Sequence, residues 1–78
     1  MPEEVPEGVV KVIELVGSSP KSFSDAVRTA VATASETIRN IIGVDVLSSN
    51  ASVKDGQIAL YKVQVKIAFL IESGNVAG

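Results

Sequence analysis

Residues 18–42, SSPKSFSDAVRTAVATASETIRNII, contain the clearest helical periodicity in the chain. Ser22 can cap the free backbone N–H groups of a first helical turn, and Asp25 suits the positive end of a helix dipole. Pro20 disfavours helical geometry in the residue before it, so we predict that the helix begins at Phe23. Apolar residues then form one stripe at helical spacing: Val27, Ala30, Val31, Ala34, Ile38, Ile41 and Ile42. Because this stripe is rich in Ala and Val, we expect the helix to lie close against a sheet.

The segments that flank the helix indicate how the chain enters and leaves it. Residues 9–16 (VVKVIELV) are rich in β-branched side chains and predict a strand. Gly17-Ser18-Ser19-Pro20 then predicts a turn into the helix. Gly43 predicts the end of the helix, because glycine is the commonest residue just past a helix C-terminus.

The second half of the chain predicts a β-hairpin. Residues 44–53 predict a second, more polar strand, with a bulge or bend at Ser48-Ser49-Asn50. Lys54-Asp55-Gly56 predicts a tight turn, since Asp-Gly favours the positive φ angles of short hairpins. Residues 57–72 alternate with period two and predict the longest strand.

The resulting order is β-α-β-β, an α+β fold with a three-stranded, antiparallel-type sheet packed on one helix. We expect the third strand to lie between the first two, antiparallel to both. The domain spans residues 9–72, and residues 1–8 and 73–78 are expected to be flexible tails. A sheet with one helix leaves a second face and two edges to be covered, which predicts assembly.

The long third strand has one apolar and one half-polar face. Its apolar face consists of Tyr61, Val63, Val65, Ile67, Phe69 and Ile71. Its other face consists of Lys62, Gln64, Lys66, Ala68 and Leu70. The three polar side chains could line a ligand pocket, or they could form a solvated or interface surface.

Composition narrows the class of protein. The chain has 78 residues, and a domain of this size is marginally stable alone unless disulfides, metals or oligomerisation help. It has no Cys and no His, which excludes disulfides and the usual soft-metal sites and leaves oligomerisation as the expected means of stabilisation. The sequence is 46% hydrophobic with only three aromatic residues, so we expect part of the aliphatic surface to form interfaces.

The same composition disfavours several partners and activities. Net charge is −2 with no basic block, which argues against nucleic acid, and no apolar run is long enough to span a membrane. The acidic start MPEEVPEG lacks the apolar core of a secretion signal, so we expect a cytoplasmic protein. Without His or Cys the usual nucleophile–base pairs are missing, and we expect no enzyme.

Two minor possibilities stay open at this point. Asp45 and Asp55 could hold a hard cation such as Ca²⁺ or Mg²⁺, although no Ca²⁺-loop pattern is present. Residues 17–20 could present N–H groups to an anion at the start of the helix, or they could be a plain turn.

Three segments of the sequence together resemble the dodecin family. They are KVIELVGSSP leading into SFSDAV, the helix ending TIRN, and DGQI leading into YKVQVKIAF. The similarity runs from about Val9 to Glu72. It implies a β-α-β-β subunit in a hollow spherical homododecamer, a tetramer of trimers with cubic symmetry. The resemblance also implies a storage or sequestration protein rather than an enzyme, which binds flavins (FMN, FAD or riboflavin) at subunit interfaces.

This sequence departs from the family pattern at the flavin site. The resemblance assigns the site to Gly43, Val44, Tyr61, Lys62 and Gln64. Gly43 stands where flavin-binding members carry a Trp that stacks on the isoalloxazine ring, and Lys62 stands where they carry a Gln that hydrogen-bonds it. We therefore expect an assembled shell with weak or no flavin binding. Dodecin relatives without the Trp are associated with calcium or with coenzyme A, and a purely structural scaffold is the remaining alternative.

Overall fold

A computed structural model describes residues 8–71 as one helix on a three-stranded sheet. Its elements are β1 (Val9–Ser19), α1 (Phe23–Ala34), β2 (Ile41–Lys54) and β3 (Gln57–Ile71). The predicted β-α-β-β order is confirmed. Residues 1–7 and 73–78 of the predicted tails, and the predicted last strand residue Glu72, lie outside the described residues.

The strand order is β1-β3-β2, and β3 is antiparallel to both neighbours, as predicted. The tight turn is also confirmed. Asp55 and Gly56 have φ angles of 54° and 77°, and this pair of positive values matches the twist of a two-residue hairpin.

The start of α1 is held by a short network of polar side chains. The Ser22 hydroxyl accepts a hydrogen bond from the Asp25 backbone N–H at 2.9 Å, which is the predicted cap. The buried Ser19 hydroxyl donates to Asp25 Oδ2 at 2.7 Å and accepts from the Lys21 backbone N–H at 2.9 Å. The helix therefore begins at Phe23, as predicted.

The predicted end of the helix is wrong. Helix α1 ends at Ala34, and Ile41, Ile42 and Gly43 belong to β2. The Ser35 hydroxyl donates to the Val31 carbonyl at 2.8 Å, and Asn40 then takes a left-handed conformation with φ 63°. Isoleucines at helical spacing are equally suited to a strand, and pairing with β3 decides for the strand.

Two further boundaries differ from the prediction. Strand β1 continues to Ser19, so Gly17 and Ser18 are extended rather than part of a turn. The pairing of β2 with β3 has three irregularities, where the register shifts between Ile41 and Gly43, between Val46 and Ser48, and between Ser52 and Val53. The second falls at Leu47, one residue before the predicted bend.

The core lies between α1 and one face of the sheet. Its buried residues are Ala26, Ala30, Val63, Val65 and Ile67. Small helix residues let the helix approach the sheet closely. A Cβ built on Gly17 would lie 2.6 Å from the Ala26 carbonyl oxygen and 2.8 Å from Ala30 Cβ. No helix within residues 8–71 is long and apolar enough to cross a membrane.

Candidate ligand-binding surface

The face of the sheet opposite α1 carries no helix in the part of the chain that the structure describes. We call this surface the open face. Directly paired residues of antiparallel strands point to the same side, so the register assigns its side chains. On the central strand they are Lys62, Gln64, Lys66, Ala68 and Leu70, the half-polar face predicted from sequence.

Three cross-strand rows make one half of the open face polar. Each row runs from β1 through β3 to β2. The rows are Ser18–Lys62–Asn50, Val16–Gln64–Ser48 and Glu14–Lys66–Asp45.

Gln64 is held by hydrogen bonds to both neighbouring strands. Its Nε2 donates to Glu14 Oε1 at 3.2 Å, and its Oε1 accepts from the Ser48 hydroxyl at 3.3 Å. These contacts fix which way the amide points, because the amide nitrogen can only donate and the amide oxygen can only accept. Among residues 8–71, the second N–H of this amide has no hydrogen-bond acceptor.

The other half of the open face is aliphatic. It consists of the row Val12–Ala68–Gly43 and the pair Val10–Leu70. Val12 is 49% exposed in the single chain. A Cβ built on Gly43 meets no atom within 4 Å, and its φ lies outside the left-handed region. A side chain can therefore start from position 43 without a clash at its Cβ.

The five predicted site residues do not form one cluster within a single chain. Gly43, Lys62 and Gln64 lie on the open face, and Lys62 is adjacent to Gln64. Gly43 pairs with Ala68, six residues along β3 from Lys62, which corresponds to about 20 Å at 3.4 Å per residue. One small ligand that contacts both positions must therefore do so in two different chains.

Tyr61 and Val44 belong to the opposite, helix-bearing face. Tyr61 packs edge-to-face on Phe23, with ring centroids 4.9 Å apart and an interplanar angle of 81°. Val44 pairs with Ile67 and is 39% exposed, because α1 covers little of β2. In the isolated chain these two residues support the sheet and do not line the open face.

Sequence reasoning missed four side chains of the polar half: Glu14, Ser18, Ser48 and Asn50. Their placement depends on strand register, which the sequence pattern alone does not fix. It also missed a shallow cavity of about 340 Å³ beside the start of β2. That cavity is lined by residues 37–40 and by Phe69, Leu70 and Ile71.

The described residues offer no ready metal centre. Among residues 8–71, no three Asp, Glu, His or Cys side chains lie together as a metal site. Asp45 lies in the middle of β2 opposite Lys66, whereas Asp55 lies in the hairpin turn at its far end. The two acids proposed as cation ligands are therefore separated within one chain.

Comparisons with known proteins point to one family. A family model described as Dodecin matches residues 9–72. The structure of dodecin from Streptomyces coelicolor is 35% identical with a TM-score of 0.83, covering 87% of this chain and 97% of that chain. Dodecin from Streptomyces davaonensis is 30% identical with a TM-score of 0.82, covering 86% and 98%.

A third similar structure is named for its ligand. It is a calcium dodecin from Mycobacterium tuberculosis, described as having a novel calcium-binding site. It is 29% identical with a TM-score of 0.74, covering 83% of this chain and 93% of that chain. A search of curated proteins finds no match.

Proposed function

The chain belongs to the dodecin family, and we propose that it is a non-catalytic protein that stores or sequesters a small molecule between the subunits of a homododecamer. The observation that carries the proposal is the open face, which combines a polar half and an aliphatic half on a sheet that has no second layer. Uncovered aliphatic side chains on such a small domain are typical of interfaces. The separation of Gly43 from Lys62 supports a ligand site shared by two chains.

We propose that flavin binds weakly here, because both family contacts are altered. Stacking of a base-type ring on an aromatic side chain contributes about 1–3 kcal/mol, and Gly43 offers no stacking surface. Lysine only donates hydrogen bonds, so Lys62 cannot reproduce the donor–acceptor pair of a glutamine amide. The open space around Gly43 suits a position that faces a ligand rather than the core.

The test restores both family residues. Flavin binding is measured by quenching of FMN and riboflavin fluorescence in the parent, in Gly43→Trp, in Lys62→Gln and in the double variant. A Cβ at position 43 meets no atom of the described chain within 4 Å, and the added indole supplies a stacking surface, so we expect an assembled double variant that binds flavin about tenfold tighter than the parent or better. A double variant that assembles and binds flavin no better than the parent would refute the assignment of Gly43 and Lys62 to the site.

Calcium and scaffold functions are the alternatives. Glu14 and Asp45 lie in one row of the open face, but Lys66 lies between them and the strands place them about 10 Å apart. A calcium site would therefore need carboxylates from a second chain. A scaffold function would be favoured by an assembled protein that retains no small molecule on gentle purification.

A further inference from the structure

The charges on the open face are unevenly compensated. Lys66 has an acid on each side, Glu14 on β1 and Asp45 on β2. Lys62 has two neutral partners, Ser18 on β1 and Asn50 on β2. The row through Lys66 therefore carries net charge −1, whereas the row through Lys62 carries +1.

No acid of the open face is a direct cross-strand partner of Lys62. Glu14 and Asp45 pair with Lys66, whose position on β3 is four residues, or about 14 Å of strand, from that of Lys62. The Glu14 carboxylate accepts a hydrogen bond from Gln64 Nε2 at 3.2 Å, so it is engaged by this amide and not by a lysine. No ion pair within 4.0 Å joins Lys62 or Lys66 to another residue between Gly8 and Ile71, so the two lysines differ in their cross-strand partners and not in a formed salt bridge.

The neighbours of Lys62 add hydrogen-bond donors to this charge. The lysine ammonium group provides three N–H donors, the Asn50 amide two and the Ser18 hydroxyl one. Donors to a negatively charged oxygen form hydrogen bonds roughly twice as strong as those between neutral groups. The row Ser18–Lys62–Asn50 thus suits a carboxylate, a phosphate or a sulfonate.

We propose that the ligand of this site is an anion, whose charged oxygen atoms are bound by the row Ser18–Lys62–Asn50, and that Lys66 takes no part in binding it. The inference rests on the proposed function, because it names the class of ligand for the same surface. An apolar portion of that ligand would lie on the aliphatic half of a neighbouring subunit, around Val12, Ala68 and Gly43.

Riboflavin and FMN test the inference, since they share one ring system and differ by a phosphate. Both are titrated by fluorescence quenching into full-length Gly43→Trp, alone and combined with Lys62→Gln, Lys62→Arg or Lys66→Gln. The readout is the ratio of the two dissociation constants, so a general gain from a glutamine at position 62 cancels. Lys66→Gln is the matched control, because it removes a lysine from the same strand and face.

We expect FMN to bind about tenfold tighter than riboflavin in the Gly43→Trp background. Lys62→Gln should abolish this preference, whereas Lys62→Arg and Lys66→Gln should keep it. Equal affinity for both flavins, or equal loss in Lys66→Gln, would overturn the anion inference and leave the proposed function standing. If the variants assemble but none binds either flavin, the proposed site and the inference both fail.

Discussion

Among the glycines between residues 8 and 71, Gly17 is the one where an added Cβ would make the shortest contacts with other atoms. It lies in β1 under α1, and a Cβ there would approach the Ala26 carbonyl oxygen to 2.6 Å and Ala30 Cβ to 2.8 Å. Neither neighbour can rotate away, because one is backbone and the other is the first side-chain atom. In Gly17→Ala the helix itself must therefore move off the sheet, loosening the packing of Ala26 and Ala30.

The magnitude follows from two opposing effects. Overpacking of this kind costs about 1–3 kcal/mol. Alanine also restricts the unfolded chain, which stabilises the fold by about 0.4–1 kcal/mol. Gly43→Ala is the matched control, since it has the same effect on the unfolded chain and meets nothing within 4 Å. The difference between the two variants isolates the clash.

Thermal unfolding at one fixed protein concentration measures that difference, because assembly makes Tm depend on concentration. A cost of 1 kcal/mol lowers Tm by about 4–8 °C in a domain of this size. We expect Gly17→Ala to melt at least about 5 °C below Gly43→Ala. Equal melting temperatures would show that the helix does not lie as close to β1 as the structure has it.

Two further predictions concern the ends of the elements. Ser22→Ala removes the hydroxyl that accepts a hydrogen bond from the Asp25 backbone N–H, and it should lower the free energy of unfolding in urea by about 1 kcal/mol. The control is Ser24→Ala, at an exposed serine of the same helical turn, which should leave the free energy of unfolding unchanged. Equal effects of the two substitutions would contradict the cap. Gly56→Ala places a Cβ on a residue with φ 77° and should lower the free energy of unfolding by about 1–2 kcal/mol in the same assay. Asp55→Asn should be near neutral, because asparagine tolerates the left-handed region. A Gly56→Ala variant as stable as the parent would argue against the turn geometry.

Local signals predicted much of the fold. The hydroxyl of Ser22 and the restriction imposed by Pro20 placed the start of α1 correctly, and Asp55-Gly56 placed the hairpin turn. The end of α1 was wrong because Ile38, Ile41 and Ile42 satisfy a helical period as well as a strand. Only pairing with β3, which is a long-range contact, separates the two interpretations.

The candidate site was less predictable, because it depends on bulges. Counting back from the Lys54–Gln57 pair at the turn, a regular hairpin would pair Asn50 with Tyr61. The shift between Ser52 and Val53 instead pairs Asn50 with Lys62, and the shift at Leu47 restores the original register at Asp45 and Lys66. A one-residue slip moves a side chain to the other face of a sheet. The first shift therefore decides that Asn50 lies beside Lys62, the second decides that Asp45 lies beside Lys66, and no local pattern in the sequence specifies both.

Native mass spectrometry of the gently purified protein tests the central claim most directly, since it reports the number of subunits and any retained ligand together. The proposed function predicts a species of twelve times the 8.1 kDa chain mass that carries anionic small molecules and few or no flavins. A monomer or dimer would contradict the assembly. A twelve-subunit species saturated with riboflavin would contradict the proposed effect of Gly43 and Lys62, and one that retains no small molecule would favour the scaffold alternative.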